Sequence, residues 1–193
     1  ARLCRAQADV AGAQQALAEA EALFARGTPP WIEPLLRYEQ VLLALAQDNA
    51  AMASRVLAQT DPQAAPSHTR VFLRLAQARI AVQRRQGQAA RPLLDDIVAT
   101  AEANERQGIL LEALLLRALA LATEDSDDAQ ADLRRALTLA RPEGYVRLFV
   151  EMGSPLAALL AQAGLPYAHD LLKHFPDEVV TAVSPLPEPL TAR

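Results

Sequence analysis

Lysine is almost missing from this chain. Lys173 is the only one, and arginine supplies the rest of the 19 basic residues. Cysteine is limited to Cys4, which excludes a disulfide framework and points to a cytoplasmic protein. None of the seven glycines precedes lysine, so there is no Gly-x-x-x-x-Gly-Lys-Ser/Thr loop to cradle a nucleotide phosphate. No apolar run reaches the 18 residues that a membrane-spanning helix needs. The first residues also lack the charged-then-apolar-then-small order of a signal peptide. Basic excess is absent too: 19 basic residues face 23 acidic ones, a net charge of −4. That balance argues against this chain gripping DNA or an anionic membrane by itself.

What the sequence does contain is helix-forming apolar residues. Hydrophobic types make up 51% of it, aromatics only 4%, and alanine and leucine dominate. These two have the best helix propensities, and no segment shows sustained period-two alternation. Helical segments alternate with short breaks. They are read over 1–8, Val10–Phe24, Trp31–Ala46, Ala50–Gln59, Ser67–Gln86, Ala89–Asn104, Gln107–Thr123 and Asp127–Leu139. Ser67 is placed as an N-cap.

The breaks inside successive helix pairs fall at Asp9, Asp48, Gly87 and Ser126, each 39 residues after the last. A period of this size, built from two helices, marks a helical repeat array. An ordinary bundle has no reason to keep it. One hairpin cannot bury its apolar face alone, so neighbours must stack. The pattern resembles tetratricopeptide-like (TPR-like) repeats, although the period exceeds 34 and the usual Trp and Tyr positions are mostly absent. The expected fold is all-α, a right-handed superhelix of helix-hairpin repeats with a C-terminal helical cap. Repeats are placed over 1–141, the cap over 142–175 and a Pro-rich linker over 176–193.

The rhythm changes at Arg141-Pro-Glu-Gly144. Tyr145–Glu151 is short and apolar on both sides, and Gly153-Ser154-Pro155 restarts a helix with Ser154 as N-cap and Pro155 at its first position. Pro166–Phe175 reads as one more short helix. Residues Gln86–Leu160 resemble the C-terminal part of the repeat domain in MalT-like, ATP-dependent LuxR-family transcriptional regulators. The resemblance is carried by Pro142-Glu-Gly-Tyr-Val-Arg-Leu-Phe-Val150, then Gly153-x-Pro155 and Leu159-Leu160. The ending Leu190-Thr-Ala-Arg193 is similar to the opening of a LuxR-type helix-turn-helix domain. The resemblance implies a piece of a larger bacterial regulator, with a nucleotide-binding ATPase before it and a DNA-binding domain after it. It implies that this part is an inducer-sensing and protein-contact module. The inducer itself is not implied, because no residue here matches a sugar contact.

Candidate residues follow from the helix faces. On Ser67–Gln86, Val71, Leu75, Ala78 and Val82 form the expected buried stripe, with Arg70, Arg74, Gln77 and Arg84 on another side. In TPR-like folds the first helix of each pair lines the concave surface. This polar stripe is therefore a candidate site for an anionic or hydroxyl-rich ligand or an acidic partner segment; a solvated helix face is the alternative. Trp31 and Tyr38 on the preceding first helix offer an aromatic surface, or pack beneath the Pro-rich loop. Tyr145, Leu148 and Phe149 are read as a structural cap over the last repeat, with Arg147 and Glu151 spaced to pair. No catalytic residue, metal site or cofactor is expected. His169 and His174 are five apart with no third ligand, and Cys4 reads as a small buried filler. The expected partners are an unknown inducer or regulatory protein and the other domains of the parent regulator, with no nucleic acid or membrane. A TPR-like scaffold that binds only proteins is the competing reading.

Overall fold

A computed structural model describes residues 1–7, 9–27, 29, 31–63, 65–122 and 126–183. Among them twelve helices and no strand are found. In chain order these are α1 (Arg2–Ala6), α2 (Val10–Phe24), α3 (Glu33–Ala46), α4 (Ala50–Leu57), α5 (Ser67–Gln83), α6 (Gly87–Ala103), α7 (Gln107–Leu121), α8 (Ser126–Ala140), α9 (Arg147–Val150), α10 (Ser154–Gln162), α11 (Pro166–Leu172) and α12 (Asp177–Val183). The chain divides into two compact units, Ala1–Thr100 and Ala101–Arg193.

The helix-pair turns share one device. Asn49 N–H donates to the Ala44 carbonyl at 2.9 Å and Asp48 N–H to Leu45 at 3.0 Å. Gln86 and Arg85 repeat this pair of bonds on Ala81 and Val82, at 2.9 Å each, after α5. This satisfies carbonyls that a helix end leaves open, and it needs a left-handed residue just past the helix. Asp48 (φ 54°) and Arg85 (φ 57°) take that conformation without being glycine. Glu105 (φ 53°) and Gly144 (φ 67°) do the same after α6 and α8. At the next helix start, Asp9 Oδ1 accepts from Gly12 N–H at 2.8 Å and Asn49 Oδ1 from Met52 N–H at 2.9 Å, as N-caps do.

The second helices of the pairs begin at Val10, Ala50, Gly87 and Ser126, steps of 40, 37 and 39 residues. The expected 39 is thus the rounded mean of unequal repeats, and the turn residue in register with Asp48 is Arg85 rather than Gly87. Ser67 and Ser154 are each one position inside their helices. The N-caps are Pro66 and Gly153, and neither makes a side-chain cap bond. The linker expected from Pro176 instead begins with α12, which packs on α10. The Leu190–Arg193 motif lies outside the described residues.

In the first unit, α3 packs on α2, α4 and α5. Ala13, Leu17, Leu36 and Leu43 form one core cluster, with Cys4 and Phe24 packed against it. Tyr38 on α3 meets Phe72 on α5, ring centroids 5.7 Å apart and tilted by 51°. The α5 stripe is wider than expected: Leu73, Ala76 and Ile80 are buried beside Leu75 and Ala78, while Val71 and Val82 are only half-buried. In the second unit, α7 is buried on almost every side from Ile109 to Leu116. It packs on α8, and α10 rests on both. Leu111, Leu114, Leu133, Phe149, Leu156 and Leu160 are fully buried there.

Candidate functional site

A groove in the first unit lies between α4 and α6, with α5 as its floor. Its volume is about 520 Å³, within the range of small-molecule sites. Leu57 and Ala58 line one wall, Ala89 and Leu93 the other, and Ile80 and Ala81 the floor. Ser54, Thr60, Gln77, Arg84 and Gln86 add polar groups, and Pro62 completes the lining.

Local sequence explains the gap. The residues that line the walls include small ones, Ser54 and Ala58 on one side and Ala89 on the other. The helix turns fix the floor relative to its first wall. Gln83 Nε2 donates to Asp48 Oδ1 at 2.9 Å and to the Leu45 carbonyl at 3.3 Å. Arg84 Nη2 donates to the Ala50 carbonyl at 3.1 Å and to Ser54 Oγ at 2.8 Å.

The structure sorts the expected ligand residues. Arg70, Arg74 and Gln77 lie on α5, and Arg84 directly follows its last residue. Arg70 is half-buried and spends its Nη2 on the carbonyls of Gln63 and Ala65, at 3.3 and 3.0 Å. Arg74 pairs with Asp96 on α6. Only Gln77 and Arg84 of the four line the groove. These contacts turn the stripe toward α4 and α6, the second helices of two successive pairs. A concave-face stripe would point away from both. Trp31 is 48% exposed, whereas Tyr38 is 3% exposed and packed against Phe72. Tyr38 therefore offers no open aromatic surface.

At the other end of the chain, Phe149 is fully buried while Tyr145 and Leu148 are half-buried. Tyr167 Oη donates to the Tyr145 carbonyl at 3.2 Å. Burial raises the Tyr167 pKa, and the Arg141 charge partly offsets this. Arg147 Nε reaches Glu151 Oε1 at 2.6 Å. The Lys173 ammonium, 2.6 Å from Asp170 Oδ1, holds that carboxyl below its usual range, first by hydrogen bonding and then by charge; His169 and Arg141 add smaller effects in the same direction, against a small desolvation effect.

Two ion-pair clusters were not singled out by the sequence. Arg117 on α7 forks onto Asp132 on α8. Arg37 on α3, 9% exposed, donates to Glu21 at 2.7 Å and Gln40 at 3.0 Å. Both arginines lie in helix segments rich in apolar residues, and that context was the available signal. Among the described residues no three His, Cys, Asp or Glu side chains gather where they could hold a metal ion, and no helix is long and apolar enough to cross a membrane.

A family model described as the MalT-like TPR region matches residues 1–164. The match extends upstream of Gln86, where the sequence resemblance began, and ends at Gly164. No curated protein and no solved structure shows significant similarity to the chain.

Proposed function

This chain belongs to the MalT-like TPR region family, and from that premise we propose that it is the sensor and interaction domain of a LuxR-family transcriptional regulator acting in the bacterial cytoplasm. An inducer or a regulatory protein binds the repeats and shifts the parent protein between resting and active states. A ligand does this only through unequal affinity for the two states. The family match over 1–164 carries the reading, and the groove on α5 supplies a concave place for a small molecule.

The second reading is a repeat scaffold that binds proteins and no small molecule. It is supported by the openly apolar side chains Leu3, Leu23 and Trp31, exposed by 68, 59 and 48%. Titration of the purified protein against a metabolite library, followed by thermal shift and calorimetry, separates the two. Saturable binding of one metabolite class supports the sensor. A library with no saturable ligand, together with a defined protein partner, sinks the sensor reading and leaves the scaffold.

A further inference from the structure

Arg84 is held in place by two neutral acceptors. Its Nη2 bonds go to the Ala50 carbonyl and the Ser54 hydroxyl, and no carboxylate pairs with it among the described residues. Arg37, Arg74 and Arg117 are instead paired with the carboxylates of Glu21, Asp96 and Asp132, and Arg70, which like Arg84 bonds to neutral acceptors, does not line the groove. Among the described residues, Arg84 is also the only charged one lining the groove. The groove therefore presents one fixed, uncompensated cation at its rim, with Nη1 and Nε still able to donate.

The remaining polar groups are largely spent. Ser54 Oγ already accepts from Arg84 and donates to the Ala50 carbonyl at 3.0 Å. Thr60 Oγ1 donates to Glu33 at 3.2 Å. A hydroxyl-rich ligand needs several convergent donors and acceptors, and the side chains of Gln77 and Gln86 alone do not provide them. A second anionic group would find no further charged side chain in the lining, and Arg74 on the same stripe is paired with Asp96. The floor and walls are aliphatic, from Leu57 through Ile80 and Ala81 to Leu93.

We propose that this groove binds a small monocarboxylate with an aliphatic or aromatic tail, its carboxylate on Arg84 at the wet rim and its tail over Ile80 and Ala81. The inference rests on the sensor reading, for which it names the ligand class.

The test is calorimetric titration of the whole protein with octanoate and 3-phenylpropanoate, beside octanamide, a neutral sugar and the metabolite library. The carboxylates should saturate one site, with octanamide roughly ten-fold weaker or more, since a charge-assisted bond is lost. Arg84→Gln should weaken octanoate by a similar factor, and Ala81→Phe should abolish its binding by filling the floor. Should either variant melt early, amide shifts in the unaltered protein decide: octanoate must perturb residues 54–58 and 77–93. Equal binding of octanamide, carboxylate binding indifferent to both variants, or perturbations elsewhere overturns the inference. Saturable binding of another metabolite with no carboxylate response overturns it while leaving the sensor reading in place. No ligand from the entire set sinks both.

Discussion

Arg117 Nε lies 2.6 Å from Asp132 Oδ2 and its Nη2 lies 2.7 Å from Oδ1, two parallel bonds that tie α7 to α8. Both side chains are largely buried, at 18 and 11% exposure. Removing one partner leaves a buried charge uncompensated, which costs about 3 kcal/mol or more. Asp132→Ala should lower stability by that order in urea unfolding, whereas the double change Arg117→Met with Asp132→Leu should recover at least half of the loss. If the single and double variants unfold alike, the fork is not a buried pair in solution.

The C-terminal cap makes a graded prediction. Phe149 has no exposed surface and half-buried Leu148 lies beside it. Phe149→Ala should cost about 3–5 kcal/mol through lost burial and a cavity, and Leu148→Ala clearly less. Equal costs would mean that Phe149 does not seat under α10.

Gly12 is fixed by its neighbour rather than by its own conformation. A Cβ there would meet Asp9 Oδ2 at 2.1 Å and its Cγ at 2.8 Å, displacing the carboxylate that caps α2. Alanine is the better helix former by about 1 kcal/mol and loss of such a cap costs about 1 kcal/mol, so Gly12→Ala should come out near neutral instead of stabilising. With Asp9→Ala already present, the same Gly12→Ala change should become stabilising. A thermal-melt double cycle reads this coupling, and equal effects of Gly12→Ala in both backgrounds would mean that Asp9 does not cap α2 through Gly12.

Asp170 gives a pH prediction. Lys173 holds its folded pKa below the usual carboxylate range. The contribution to stability is therefore present above the unfolded pKa and disappears as pH falls through the lowered folded value. Lys173→Met should move the Asp170 carboxyl titration upward, as followed by NMR. The side chain is solvent-exposed, so the accompanying change in stability should be small. An unmoved titration would remove Lys173 as the cause.

Much of the fold was legible because propensity and breakers acted together. Val10–Phe24 agrees at both ends, and most other helices agree within a few residues, since alanine and leucine carry them and short polar breaks separate them. The exact repeat step was not legible, because Asp48, Arg85 and Glu105 adopt left-handed turns that their side chains do not advertise. Helix α12 was hidden by the prolines around it. For the candidate site, residue spacing put Arg70, Arg74, Gln77 and Arg84 in one stripe, of which only Gln77 and Arg84 line the groove. Spacing does not say which neighbour a face meets, and it took the Arg74–Asp96 and Arg84–Ser54 contacts to show this. Tyr38 illustrates the same limit: an aromatic on a first helix reads equally as a platform or as packing.

Helix α4 has eight residues, against fifteen in α2 and seventeen in α6. An isolated helix of that length is not stable in water, so α4 depends on its neighbours for its order. One wall of the groove is thus among the first segments of its unit to open locally, with amides from Ala53 to Leu57 exchanging ahead of those in α3 and α5. Whatever settles against that wall suppresses the opening, and binding there would register as protection from exchange without any change in the average structure.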